Sequence, residues 1–231
     1  MTREWAALLG AALLFAACQG GGGGDKGLGL KDLNGDGQIR ILCFGDSITQ
    51  GFGDNAGEPP EDPPGGFGGY PPRLQALTGV TVINAGVGGE QTGSGLDRLP
   101  DTLQQSNPDY VILLEGANDI EHHQEDAAVQ NLEAMVEDVF QFGAQPILGT
   151  LLPTCCHHQN SVDPGTIEDV NTALEEFAKK DRVPVIDFHT AFKPEADGTV
   201  DPASGLIHVP DGLHPTPAGY DLMALTAQKI F

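Results

Sequence analysis

The sequence predicts an α/β fold in which helices cover both faces of one parallel β-sheet. Short all-apolar segments recur along the 231-residue chain, and this composition is typical of strands that are buried on both faces. Longer segments with helical periodicity alternate with them, as in βαβ units. No segment repeats, and the residues after position 37 are sufficient for one domain with a sizeable core.

Predicted strands and helices alternate in a regular order. The strands are expected at 41–44, 80–83, 110–114, 147–152 and 183–186. Helices are expected to begin at Tyr70 and to span 96–105, 126–142, 167–180 and 218–230. The 126–142 helix is well marked, because its apolar residues share one face and Gly143 follows it. Residues 51–69 are rich in Gly, Pro and acidic residues, which indicates an irregular loop.

The N-terminus has the pattern of an exported protein. In residues 1–18 one Arg precedes a short apolar segment, as in a secretory signal peptide, and the segment is too short for a membrane anchor. Its end, Phe15-Ala16-Ala17-Cys18, is similar to a bacterial lipobox. We therefore expect lipidation of Cys18 and anchoring to the cell envelope; the alternative is ordinary cleavage and secretion. Residues 19–37 would form a glycine-rich tether and turn, ahead of a domain at 38–231.

Net charge limits the partners that we expect. The chain carries 33 acidic and 11 basic residues, which gives a net charge of −22. Such a domain is repelled by nucleic acid and by anionic lipid, so we expect neither as a partner. Contact with a membrane is expected only through the Cys18 anchor, and the chain is expected to be a monomer.

Two features suggest metal binding without matching a known site. Residues 32–37 match the first half of an EF-hand calcium loop, but Cys43 stands where that loop requires a Glu, so we expect a turn. The clusters His122-His123 and Cys155-Cys156-His157-His158 match no structural zinc spacing, so we expect polar loops and no metal.

The redox state of the cysteines stays open. Cys43, Cys155 and Cys156 could form a disulfide in an exported chain. A bridge between the adjacent Cys155 and Cys156 would be strained.

Polar residues that suit acyl transfer follow the predicted strands. Ser47 comes directly after the first strand, although Asp46 and Ser47 are also favoured helix caps and capping alone is the alternative. His214 lies three residues after Asp211, a spacing that can bring the carboxylate to one imidazole nitrogen and leave the other free. The alternative there is a plain surface turn. A serine with a base that a carboxylate orients is the arrangement of serine hydrolases.

Two further segments can supply donors to an oxyanion. Gly88-Gly89 follow the second strand, where a backbone N–H that no side chain covers can face the same edge of the sheet. The alternative is that these glycines only make the loop flexible. Asn118 follows the third strand, and its amide can donate a hydrogen bond or complete an ordinary turn. Because the carboxyl ends of parallel strands share one edge, we expect all these segments to meet there.

These segments together resemble the blocks of the SGNH hydrolases, also called GDSL esterases and lipases. The matching blocks are G-D-S-I-T at 45–49, N-A-G-V-G-G-E-Q-T at 84–92, G-A-N-D at 116–119 and D-G-L-H-P at 211–215. They occur in the family's order, and the resemblance spans residues 39–231. It implies a flavodoxin-like α/β/α sandwich with a five-stranded parallel sheet in the order 2-1-3-4-5. The chain has no G-x-S-x-G motif, which disfavours the α/β-hydrolase fold.

The resemblance also implies a role for each site residue. Ser47 is implied as the nucleophile, His214 as the base and Asp211 as its partner, with no cofactor. The oxyanion donors are implied to be the N–H groups of Ser47 and Gly89 and the Asn118 amide.

The expected function is hydrolysis of a small-molecule or glycan ester with a short acyl group, such as a carbohydrate acetate. Alternatives are a lysophospholipase or thioesterase of the same family, or a non-catalytic glycan-binding surface lipoprotein. Asp187, after the last strand, is expected to anchor a loop as a hydrogen-bond acceptor.

Overall fold

A computed structural model describes residues 27–54, 68–156, 158 and 161–231. They form a five-stranded, all-parallel sheet in the order β2-β1-β3-β4-β5, as predicted. The strands are β1 (Arg40–Gly45), β2 (Thr81–Gly86), β3 (Tyr110–Leu114), β4 (Gln145–Gly149) and β5 (Val185–Ile186). The predicted signal peptide, Cys18 and the glycine tether lie outside the described residues.

Helices cover the sheet in two groups. They are α1 (Ser47–Gln50), α2 (Tyr70–Thr78), α3 (Thr92–Ser106), α4 (Ala117–Glu121), α5 (Glu125–Phe142), α6 (Pro164–Asp181), α7 (Phe188–Ala191) and α8 (Pro217–Gln228). Helix α2 packs on α8, while α5 packs on both α3 and α6. None of the helices in the described ranges is long and apolar enough to span a membrane.

The central strands are buried on both faces, as their composition predicts. Ile41, Leu42, Cys43 and Phe44 of β1 are all fully buried, and every residue of β3 is buried. Successive side chains of a strand point to opposite faces. An unbroken apolar run therefore requires a layer of helices on each side of the sheet.

Among the element boundaries that differ from the prediction, two are set by contacts between distant residues. Helix α3 begins at Thr92, not at position 96, because the buried carboxylate of Asp119 accepts hydrogen bonds from the Thr92 N–H at 3.0 Å and its hydroxyl at 2.6 Å. Strand β4 ends at Gly149, not at position 152, because its partner β5 ends at Ile186. There Asp187 caps α7 by accepting the Thr190 N–H at 2.8 Å, which confirms its predicted role as an acceptor.

The segment ahead of β1 packs on the domain. The Leu28 N–H donates to the carbonyl oxygen of Ile230 at 2.6 Å, and the Leu33 N–H donates to the Asp109 carboxylate at 2.6 Å. Residues 32–37 form a turn held by Asx-type hydrogen bonds, as predicted. The packed part of the chain therefore starts before the predicted domain boundary.

Candidate active site

Ser47 is the first residue of α1, directly after β1. The preceding residue, Asp46, is the N-cap, and its carboxylate accepts the Ile48 N–H at 2.9 Å. The Ser47 Oγ lies 2.9 Å from Nε2 of His214. Both interpretations of this segment hold, because Asp46 caps the helix while Ser47 faces the imidazole. The turn requires Gly45, since a Cβ there would lie 1.9 Å from the Leu114 carbonyl oxygen.

Asp211 holds the other side of the His214 ring. Its Oδ2 lies 3.2 Å from Nδ1 of His214, and its Oδ1 accepts the backbone N–H groups of Leu213 at 2.8 Å and His214 at 3.0 Å. Burial by itself would raise the pKa of Asp211, but these hydrogen bonds together lower it to about 2. Asp211 is therefore an anion at neutral pH, and it favours the tautomer with a proton on Nδ1 and a free Nε2.

Two residues outside the predicted blocks, Phe52 and His208, hold His214 in place. The ring of Phe52 packs against that of His214, with the ring centres 4.4 Å apart. The backbone N–H of His208 donates to the carbonyl oxygen of His214 at 2.9 Å, and its ring Nε2 lies 2.8 Å from the Gly53 carbonyl oxygen. These contacts join the loop after Ser47 to the loop that carries His214. Neither residue lies within the four sequence blocks at 45–49, 84–92, 116–119 and 211–215, so no motif marked it.

Gly89 lies in the loop after β2 with a φ of +74°, in the left-handed region that favours glycine. A Cβ at this position would meet nothing within 4 Å, so the backbone angle, not crowding, requires the glycine. The loop approaches Ser47 because the Val87 N–H donates to the Gly45 carbonyl oxygen at 2.9 Å. Open space beside Gly89 leaves room for a substrate.

Asn118, in the first turn of α4, is tied to the Gly89 loop. Its Nδ2 donates to the carbonyl oxygen of Glu90 at 2.9 Å. An amide group has two hydrogens, so one remains for another acceptor. The carboxylate of the neighbouring Asp119 accepts two hydrogen bonds from Thr92, at the other end of this loop. The structure thus brings together Ser47 and the loops of Gly89 and Asn118 at one sheet edge, as predicted.

Buried acidic residues lie behind these loops. Burial, together with the charges of Asp46 and Glu90, raises the pKa of Glu115 to about 9. Burial also raises the pKa of Asp46 to about 6. Glu90 is paired with Arg98, whose guanidinium lies 3.9 Å from the centre of the Phe44 ring. Ionisable side chains that influence one another therefore lie close together behind the loops of the site.

Comparison with known proteins identifies the family. Residues 43–222 match the model of the GDSL-like lipase/acylhydrolase family. The chain belongs to this family. An arylesterase from Vibrio mimicus is 30% identical over 153 residues, which cover 65% of this chain and 70% of that protein.

Two further comparisons agree in family and fold. The thioesterase 1/protease 1/lysophospholipase L1 of Escherichia coli K12 is 29% identical over 111 residues, which cover 47% of this chain and 49% of that protein. The crystal structure of the lipase/acylhydrolase from Enterococcus faecalis is 27% identical, with a TM-score of 0.66 over 83% of this chain and 94% of that chain. The predicted family and fold are confirmed, and the chain is a carboxylic-ester hydrolase.

The two histidine-containing clusters adjoin the loops of this site. His122 Nδ1 lies 2.7 Å from the Asn118 carbonyl oxygen, and His158 Nδ1 lies 2.9 Å from the Asp211 carbonyl oxygen; His157 is outside the described residues. Among the residues that the structure describes, no three His, Cys, Asp or Glu side chains are grouped to hold a metal ion. The described residues of both clusters lie on loops at this edge, as predicted.

Proposed function

We propose that the protein hydrolyses short-chain carboxylic esters through an acyl-enzyme on Ser47. The observation that carries this proposal is the hydrogen-bonded chain from Ser47 Oγ through His214 to Asp211. In the first step, His214 Nε2 accepts the hydroxyl proton while Ser47 Oγ attacks the ester carbonyl carbon. Asp211 stabilises the imidazolium that results.

The tetrahedral intermediate carries a negative charge that needs hydrogen-bond donors. We assign this role to the backbone N–H groups of Ser47 and Gly89 and to the second amide hydrogen of Asn118. The hydrogen bond from Asn118 to Glu90 supports the assignment, because it holds the amide in place before substrate binds. His214 then donates its proton to the leaving alcohol, and a water molecule activated by the same imidazole releases the acid.

The surroundings of His214 favour a substrate whose alcohol portion is a ring, either aromatic or a sugar. His214 protonates the leaving alcohol, so that portion of the substrate must pass close to the imidazole. The Phe52 ring packs against this imidazole and is partly exposed. An exposed aromatic face suits an aryl group or a sugar ring. This supports an acetylated glycan or a small aryl ester as the substrate, and the similarity to the Vibrio arylesterase agrees with the second.

A series of p-nitrophenyl esters from acetate to palmitate tests the proposal. We expect the highest kcat/KM for acetate or butyrate, and loss of activity by several orders of magnitude in Ser47→Ala. A maximum at laurate or beyond would favour the thioesterase or lysophospholipase alternative. Wild-type activity no higher than that of Ser47→Ala would reject the Ser47 mechanism. Acetylated xylo-oligosaccharides then separate a glycan substrate from a small aryl ester.

We also propose that the protein is exported and anchored through a lipid on Cys18. The sequence of residues 1–18 supports this, since its short apolar segment ends in a lipobox-like Cys. Cys18→Ser should move the protein from the membrane fraction to the soluble fraction, with its specific activity on p-nitrophenyl acetate unchanged. Wild-type protein recovered wholly in the soluble fraction, with an N-terminus after Cys18, would contradict the anchor.

A further inference from the structure

Two adjacent cysteines lie in the loop between β4 and α6. The Sγ atoms of Cys155 and Cys156 are 2.7 Å apart, and both thiols are free. Cys155 is fully buried, whereas Cys156 is partly exposed. The backbone of Cys156 has a φ of +58°, which residues other than glycine seldom adopt. The chain therefore holds two thiols in contact at a strained position.

This pair packs directly on the segment that holds Asp211. The Cys155 N–H donates to the Gly212 carbonyl oxygen at 2.8 Å. The Cys155 carbonyl oxygen lies so close to Gly212 that a Cβ there would be 2.0 Å away. His158 also connects the two segments: its backbone N–H donates to the Cys155 carbonyl oxygen at 3.3 Å, and its Nδ1 lies 2.9 Å from the Asp211 carbonyl oxygen. A rotation of the peptide between the two cysteines would therefore displace Gly212 and its neighbours.

We propose that Cys155 and Cys156 form a redox site, which closes to a vicinal disulfide and so shifts the Asp211–Gly212 segment and lowers esterase activity. The effect on activity rests on the proposed role of Asp211, whereas disulfide formation does not.

Ring closure should distort the peptide between the cysteines for a geometric reason. Adjacent Cα atoms across a trans peptide are held about 3.8 Å apart, which is less than the roughly 4.4–6.8 Å that disulfides usually span, so the strain of closure falls on the torsion angles within the ring. The peptide between the cysteines, whose oxygen contacts Gly212, is part of the ring that forms. Strained disulfides are also readily reduced, so the site should be reversible.

The oxidant that we name is a small disulfide, such as oxidised glutathione. The Cys156 thiolate attacks one sulfur of the oxidant, so that a mixed disulfide forms and one glutathione thiolate leaves. The Cys155 thiolate then attacks Cys156 Sγ and expels the second glutathione. The protein loses two electrons and two thiol protons, and the two glutathione molecules that are released gain them.

The order of these steps follows from exposure. Cys156 can meet an oxidant in solution, whereas Cys155 is buried. Burial, with a contribution from the neighbouring Cys156 thiol, raises the pKa of Cys155 to about 12. Since the thiolate is the nucleophile, Cys156 should react first.

The test uses the full chain in buffers of fixed oxidised to reduced glutathione ratio. Free thiols are alkylated, the protein is digested, and the mass of the peptide that contains both cysteines is measured by mass spectrometry. We expect this peptide to lose two hydrogen atoms, to carry no alkyl or glutathione group and to return to the dithiol form with dithiothreitol. Hydrolysis of p-nitrophenyl acetate should fall several-fold in parallel, chiefly in kcat, and recover on reduction.

Cys156→Ser is the matched control, because it keeps the loop but cannot close the ring. Its activity should not respond to the oxidant. If this variant does not fold, Cys156→Asn replaces it, since asparagine tolerates a positive φ.

Three results would overturn the proposal in different ways. Alkylation of both cysteines in the oxidising buffer would exclude the disulfide. A disulfide that leaves kcat unchanged would exclude the coupling to Asp211. Equal inactivation of wild type and Cys156→Ser would place the sensitive group elsewhere. Failure of the proposed function is distinguishable, because untreated wild type would then hydrolyse no ester while the mass of the peptide would still report the disulfide.

Discussion

Replacing Glu115 by Gln should stabilise the protein increasingly as the pH rises. Glu115 follows β3 and is almost fully buried, and the carboxyl group of Glu90 lies beside its own. Burial, and then the charges of Asp46 and Glu90, raises its pKa from 4.5 to about 9. A carboxyl group in such a place stays neutral at physiological pH, because an unpaired buried charge costs several kcal/mol.

The sign of the effect follows from proton binding. Below pH 4.5 Glu115 is neutral in both the folded and the unfolded chain. Its ionisation therefore does not yet lower the free energy of unfolding. Between there and about pH 9 the unfolded chain ionises Glu115 while the folded protein keeps the proton. The free energy of unfolding then falls by about 1.4 kcal/mol for each pH unit. From about pH 5.5 to about pH 8.5 the expected loss is about 4 kcal/mol.

Urea denaturation of wild type and Glu115→Gln at these two pH values measures the effect. With a slope of about 2–3 kcal/mol per molar urea, the difference between their midpoints should grow by more than about 1 M. Because a glutamine amide does not titrate, the substitution otherwise changes the free energy of unfolding by an amount that does not depend on pH. Glu137→Gln, which removes a charge from the exposed side of α5, should show no such growth. An equal midpoint difference at both pH values would refute a neutral Glu115.

Three substitutions at the site have specific expected outcomes. Asn118→Ala should lower kcat by about 10²–10³-fold with a smaller change in KM, and steady-state kinetics that show only a raised KM would contradict its oxyanion role. Asp211→Asn should lower kcat by about 10²–10⁴-fold, because the carboxylate that orients the His214 ring and stabilises its imidazolium form is lost; steady-state kinetics in which kcat is unchanged would contradict this pairing. Phe52→Ala should impair aryl acetates more than ethyl acetate, and equal loss on both in a competition assay would refute its contact with the alcohol portion.

Much of the fold followed from local sequence patterns. The apolar runs of β1 and β3 can be stable only between two layers, and their alternation with helical segments leaves a parallel sheet as the solution. Boundaries were less predictable where a distant residue sets them. The start of α3 at Thr92 depends on Asp119, which lies 27 residues further along the chain.

In the candidate site, too, some features could be predicted from the sequence and others could not. The residue types at Ser47, Gly89, Asn118 and His214 were recognisable, because acyl transfer needs a nucleophile, a base and donors in segments that follow strands. The sequence could not show that Asp46 caps a helix while Ser47 faces His214. Helix capping and a nucleophilic serine are both compatible with an Asp-Ser pair after a strand.

The sequence by itself determined the sheet, the family and the chemistry that the site residues can perform, because these depend on residue type and on spacing along the chain. Tertiary structure alone decided the 4.4 Å packing of Phe52 on His214, the raised pKa of Glu115 and the contact between Cys155 and Gly212. Packing, burial and electrostatic interaction depend on distance in space. Residues far apart in the chain acquire these properties only when the sheet brings its loops to one edge.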